Sequence, residues 1–153
     1  MKPQIDDWFW ELLESSQGSL RLLCRKIEQL PRQRVIDYHR LYEEAKSSVN
    51  PLCREDDVTS PDDDCSEDGA DDFAAWVVMQ GKSLYERAVH DPLHLALLLK
   101  SFQEHEAGKG ALAFGIAWDN NVDRKEYGGY QRADYIAAPI YRTRFGEELA
   151  EVS

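Results

Sequence analysis

The sequence predicts a mainly α-helical protein, a compact single-domain bundle of about six to eight helices. Apolar side chains recur at three- and four-residue steps along most of the chain, which is the spacing of one face of a helix. Recognisable helix start and stop residues separate these stretches. A length of 153 residues matches the usual size of one domain, and such a chain can bury a core without disulfides.

The first part of the chain, residues 1–49, contains three predicted helices. The first covers residues 7–15, and acidic side chains precede it, where they favour a helix start. Ser19 is placed to cap the second helix, which carries leucines and an isoleucine on one face. The third follows Pro31, because proline is tolerated in a first helical turn, and it ends near Ser48.

An acidic loop, residues 50–68, separates the third helix from the fourth. Two prolines and several polar turn residues interrupt any helical pattern in this loop. The fourth helix is predicted to begin between Gly69 and Asp72 and to end at Gly81. Phe73 and Trp76 are three residues apart on one face of this helix, so we expect both rings in the core.

Two further helices complete the segment 69–107. The fifth is short and covers residues 82–90, and the pair Asp91 and Pro92 then provides a cap and a first-turn proline for the sixth. The C-terminal segment 108–153 is harder to interpret. Its residues 111–118 alternate large and small side chains, which fits either a short β element or a closely packed helix.

The net charge of −11 is concentrated in one segment. Residues 54–72 contain ten acids and one base and so carry −9, which leaves 19 acids and 17 bases, or −2, for the rest of the chain. Such a block repels nucleic acid and attracts a basic surface, although a solvated linker would have the same composition. We assign partner binding to six of these residues, called the acidic run below: Glu55, Asp56, Asp57, Asp62, Asp63 and Asp64.

The sequence favours a cytoplasmic protein without membrane contact. Its three cysteines are odd in number and widely spaced, which fits reduced thiols better than a disulfide framework. No apolar stretch reaches the roughly 18 residues of a membrane span. The N-terminus also lacks the basic and apolar pattern of a secretory signal.

The acidic loop has part of the residue pattern of a calcium-binding loop. With Asp64 in the first position, Ser66, Asp68 and Gly69 have the residue types that a helix-flanked calcium loop requires. The last position, however, needs a bidentate glutamate and holds Ala75. We therefore expect no specific calcium site.

No other motif indicates a metal, a cofactor or a catalytic residue. His90 and His94 have the four-residue spacing of two zinc ligands, but Pro92 starts a helix between them. Cys65 precedes a helix, which favours a thiolate, but the surrounding acids oppose one. The sequence thus predicts no catalytic group, no metal and no cofactor.

Residues 65–82, CSEDGADDFAAWVVMQGK, resemble the signature of an uncharacterised bacterial family, the domain of unknown function numbered 4240. That signature reads approximately Cys-Ser-Asp-Asp-Gly-Phe, then Phe-Arg-x-Trp-Leu-Ile, then Gly-Lys. Eight residues of this chain match it. A weaker similarity to the family covers Trp8–Ala96. Ala70 and Ala74 replace a phenylalanine and the arginine of the signature. The resemblance implies a small, mainly helical domain whose aromatic helix is capped by Ser66 or Asp68. It implies no activity.

Two functions from different classes are consistent with these patterns. The first is a non-enzymatic protein-interaction module with a basic bacterial partner, for example an acidic inhibitor or immunity-type protein, by analogy alone. The second is a ligand-binding or enzymatic domain with an aromatic-lined pocket, although aromatic core packing would leave the same pattern. That pocket would comprise Tyr38, Asp68, Trp76, Lys82, Tyr85 and Trp118. The pattern does not indicate an oligomeric state.

Overall fold

The computed structural model describes residues 4–54, 66–106 and 132–149, and these residues contain seven helices. The prediction of a mainly α-helical fold is confirmed. The predicted β element at 111–118 lies outside the described residues. The helices are α1 (Asp7–Ser15), α2 (Leu20–Glu28), α3 (Arg32–Val49), α4 (Glu67–Met79), α5 (Lys82–His90), α6 (Pro92–Glu106) and α7 (Ala137–Phe145).

Helix α4 begins earlier than predicted because Ser66 caps it. The Ser66 Oγ accepts a hydrogen bond from the Gly69 backbone N–H at 3.0 Å, which satisfies one of the free donors of the first turn. Gly69 suits this position, since an added Cβ would lie 3.1 Å from the Ser66 Oγ. Glu67 and Asp68 lie in the first turn, where the positive end of the helix favours acids. The helix therefore starts at Glu67 and not between Gly69 and Asp72.

Gly81 ends α4 and leads directly into α5. Its φ of 103° lies in the region that side-chain-bearing residues rarely adopt, so glycine allows the sharp change of direction between the two helices. The prediction that α4 ends here is confirmed.

Contacts divide the chain into two compact units. The central unit comprises the described residues of 45–116, and the terminal unit comprises those of 4–44 and 117–153. The prediction of a single domain remains a prediction. In the central unit α5 contacts both α4 and α6. Its fully buried side chains include Phe73, Val77, Val78, Ala88, Leu95 and Leu98.

The terminal unit is built from α1, α2, most of α3, and α7. The Phe9 ring of α1 lies 5.5 Å from the Tyr38 ring and 5.7 Å from the Tyr42 ring, both on α3. Helix α2 contacts both α1 and α7. These three rings form a core with Leu13 of α1 and with Leu20 and Leu23 of α2, all of them buried.

Within residues 4–54, 66–106 and 132–149, no helix combines the length and the apolar character that a membrane crossing requires.

We expect Phe73→Ala to lower the free energy of unfolding by about 3–5 kcal/mol, because the ring is fully buried and its removal leaves a cavity. Trp76→Ala should cost less, since Trp76 is half-buried. Leu97→Ala is the control, because this leucine is 59% exposed on α6. Urea denaturation measures all three. A Phe73→Ala effect no larger than that of Leu97→Ala would contradict the burial of the ring.

We also expect stability to fall as the pH is lowered through 6.5. His94 lies in the first turn of α6 and is 9% exposed; burial lowers its pKa from the ordinary value of 6.5, Arg87 lowers it further, and Asp91 opposes both. With this lowered pKa, the folded chain binds a proton at His94 less readily than the unfolded chain does. The stability that neutral His94 contributes is therefore complete above pH 6.5. It is lost as the pH falls towards the lowered pKa of the folded state.

The measurement is urea denaturation at about pH 7.5 and about pH 5, on either side of the ordinary histidine range. His94→Gln should reduce the difference in stability between the two pH values. His90→Gln, at an exposed position, should leave that difference as it is in the wild type. Equal differences in the wild type and in His94→Gln would refute the assignment.

Candidate functional site

The acidic run itself lies outside the described residues, but the structure describes the chain on both sides of it. Arg54 immediately precedes the run. Its Nη1 donates hydrogen bonds to the main-chain carbonyls of Ser48 at 2.9 Å and of Val89 at 3.2 Å. Those carbonyls lie in the last turns of α3 and α5, where helix carbonyls lack internal donors and the helix end is partly negative. Arg54 thus fixes the start of the acidic run to two helix ends of the central unit.

The turn before Arg54 exposes an apolar side chain. The Asn50 Oδ1 accepts a hydrogen bond from the Leu52 backbone N–H at 2.9 Å, and the Asn50 carbonyl accepts one from the Cys53 N–H at 3.0 Å. This local bonding is typical of an asparagine turn. It holds Leu52 in a position where its side chain is 49% exposed, three residues before the first acid of the run in the sequence.

The chain is fixed again at the other side of the acidic run, at the start of α4. The Ser66 cap holds the first turn, and a second contact anchors the next turn: the Lys46 Nζ lies 2.9 Å from the Asp71 Oδ1. Lys46 belongs to the last part of α3 and is only 6% exposed. A buried ammonium needs a compensating carboxylate, so this pair ties α4 to α3 within the central unit.

Three further carboxylates of the acidic segment lie at exposed positions on α4. Glu67, Asp68 and Asp72 are all exposed, whereas Asp71 is engaged with Lys46. Exposed carboxylates act on a partner through a field that salt screens over about 8–10 Å. Such carboxylates can attract a cationic surface.

Calcium-loop geometry is not compatible with this segment. The rejected register would need residues 64–75 as a loop with a terminal bidentate ligand. In the structure Glu67–Met79 is helical, and the Ser66 Oγ is engaged as the cap of that helix. Among the described residues, no group of three or more His, Cys, Asp or Glu side chains could hold a metal ion.

His90 and His94 lie on two different helices, and α6 begins at Pro92 between them as predicted. His90 is the last residue of α5, and His94 lies in the first turn of α6. The Asp91 Oδ1 accepts a hydrogen bond from the His94 backbone N–H at 3.2 Å, so Asp91 caps α6 between them.

Tyr38, a predicted wall of the alternative pocket, is engaged in the core of the terminal unit. It is fully buried, and its hydroxyl donates a hydrogen bond of 2.6 Å to the Ala133 carbonyl. Burial raises the pKa of Tyr38 well above its ordinary value, and the negative charge of Asp134 raises it further. The hydroxyl therefore stays protonated and acts as a structural donor.

Trp76, the central residue of the alternative pocket, forms an aromatic cluster with Phe73, which the sequence placed on the same helix face, and with Phe102. Its ring stacks on Phe73 with centroids 6.1 Å apart and lies 5.6 Å from the Phe102 ring. Its indole Nε1 is buried and has no hydrogen-bond partner among the residues that the structure describes. The Gln80 Nε2 donates to the Trp76 carbonyl at 3.2 Å, away from the indole nitrogen.

The other predicted pocket residues fall in different surroundings. Asp68 is exposed in the first turn of α4, and Lys82 opens α5 with its Nζ 4.0 Å from a Glu86 carboxylate oxygen. Tyr85 is 5% exposed. These three residues belong to the central unit together with Trp76, whereas Tyr38 belongs to the terminal unit. Trp118 lies outside the described residues.

Sequence reasoning missed a buried ion pair between Arg132 and Asp134. The guanidinium Nε lies 3.0 Å from one carboxylate oxygen and Nη2 lies 2.6 Å from the other, in a bidentate geometry. The Asp134 side chain is fully buried, and Arg132 stacks over the Tyr135 ring at 4.1 Å. The only signal in the sequence was an arginine two residues before an aspartate, in a stretch without clear periodicity. The pair fixes the segment that leads into α7.

The chain matches a known protein family over most of its length. The family described as "Protein of unknown function (DUF4240)" matches residues 5–143. The chain belongs to this family. The match extends beyond the residues Trp8–Ala96 over which the resemblance was recognised. No curated protein and no solved structure matches the chain.

Within this DUF4240 member, most residues of the recognised signature have a structural task. Ser66 and Gly69 form the cap of α4, and Gly81 provides the positive φ between α4 and α5. Phe73 is fully buried, and Trp76 stacks on it. The signature therefore describes how one helix begins, packs and ends. It does not by itself mark a reaction site.

We expect Tyr38→Phe to lower the free energy of unfolding by about 1–3 kcal/mol, because it leaves the buried Ala133 carbonyl without this donor. Tyr141→Phe is the matched control. It removes a hydroxyl that accepts from Arg32, whose side chain is half exposed and can be solvated instead, so its cost should be smaller. Thermal and urea denaturation measure both. An unchanged stability for Tyr38→Phe would instead show a hydroxyl available to a ligand.

Proposed function

We propose that this DUF4240 member is a non-enzymatic protein-interaction module that binds a basic protein through the acidic run. The observation that carries the proposal is the concentration of charge: residues 54–72 hold −9 of the net −11. Opposite charges steer two proteins together over distances at which no other force acts. A charge distributed over the whole surface would favour solubility but would give no preferred site.

The fixed positions on both sides of the run support this function. Arg54 is bound to two helix ends, and Ser66 and Asp71 hold the start of α4. A charged segment with both ends anchored in one unit meets a partner at a defined place on that unit. A linker between independently moving bodies would not require such anchors.

Leu52 supplies the apolar component that an interface needs. Exposed charges at the rim of an interface mainly accelerate association, whereas affinity depends on side chains that lose water in the complex. Leu52 is 49% exposed in a turn fixed by Asn50, directly before the acids. The partner would accordingly present a basic surface with an apolar contact at its margin.

A bacterial, cytoplasmic immunity-type or inhibitor role is the specific form of this proposal. A small acidic protein can neutralise a basic effector by covering its cationic surface, and this requires no catalytic group in the inhibitor. The physical support is the same charge concentration. An affinity pull-down from the native host, followed by intact mass measurement, tests it: a stoichiometric basic protein supports the proposal, and recovery of the chain alone contradicts it.

Neutralising the acidic run should slow association with the captured partner more than it accelerates dissociation. With all six acids changed to Asn or Gln, we expect the association rate at low salt to fall by on the order of tenfold or more, and the difference to shrink at high salt. The fold should survive, because the anchors on both sides are unchanged. Stopped-flow measurements at two ionic strengths give the rates.

A matched pair of smaller variants separates local charge from total charge. Asp62, Asp63 and Asp64 changed to Asn, and Glu11, Glu14 and Glu104 changed to Gln, alter the net charge equally. The second set lies on exposed helix positions outside residues 54–72 of the sequence. Only the first set should slow association. Equal association rates and equal salt slopes for both sets would remove the support for steering by the run.

Leu52→Ser should have the opposite kinetic signature. Because Leu52 is expected to lose water only in the final complex, its loss should accelerate dissociation and leave association nearly unchanged. Leu22→Ser is the control, since that leucine is 40% exposed in the terminal unit. Surface plasmon resonance measures both rates. Equal dissociation rates for Leu52→Ser and Leu22→Ser would show that the apolar contact does not involve Leu52.

Trp76 supports a second candidate, a small-molecule-binding or enzymatic domain. A buried indole N–H without an acceptor is a free donor, and an unmade hydrogen bond of this kind costs about 1–3 kcal/mol. A ligand with a carbonyl or carboxylate could supply the acceptor while it stacks beside the half-buried ring. The same pull-down distinguishes the candidates, because native mass spectrometry would then show a bound small molecule and no basic protein.

A further inference from the structure

We draw no further inference here: the strongest candidate, the apolar patch formed by Leu93 and Leu97 on the outer face of α6 (79% and 59% exposed), consists of two side chains, and nothing in the structure shows what covers it.

Discussion

The ion pair between Lys46 and Asp71 is the contact on which the central unit depends. An ammonium that is only 6% exposed is stabilised there by a carboxylate 2.9 Å away. The pair connects the end of α3 to the second turn of α4, and α4 carries Phe73 into the aromatic cluster. It also holds the first described helix that follows the acidic run in the sequence. The Lys46–Asp71 ion pair therefore contributes both to the packing of α4 and to the position of the acidic side chains on that helix.

The acids of residues 54–72 consequently have two different tasks. Asp71 compensates a buried lysine, and its neighbours in the first turn of α4 are favoured by the positive end of the helix. The six acids of the run have no such requirement in the sequence, because they precede the Ser66 cap. A helix start needs one or two acids, and this segment has ten. This excess over what a helix start needs is what supports the proposal that the run binds a partner.

Sequence periodicity predicted the helices well, because each one buries a face at three- and four-residue steps; α1, α5 and α6 have the predicted bounds. What periodicity could not supply is the partner of a polar group. Tyr38 lies on the apolar stripe of α3, and from the sequence we assign it to the wall of a pocket. Its hydroxyl in fact bonds to a carbonyl 95 residues away, and no local pattern predicts that contact. Likewise, nothing local indicates that Arg54 reaches the end of α5. Contacts between distant residues depend on the assembled fold, which one sequence without its structure does not reveal.

Three hydrogen bonds that flank the acidic run are made with main-chain atoms. The Arg54 Nη1 donates to two main-chain carbonyls, and the Ser66 Oγ accepts from a main-chain N–H. Substitutions among the six acids therefore leave both partners of each of these three hydrogen bonds in place. Their mutual repulsion would in fact be relieved by a cationic partner, since like charges on adjacent residues raise the free energy of the unbound chain. If the run binds a basic protein as proposed, that partner would stabilise the protein through the same charges that attract it.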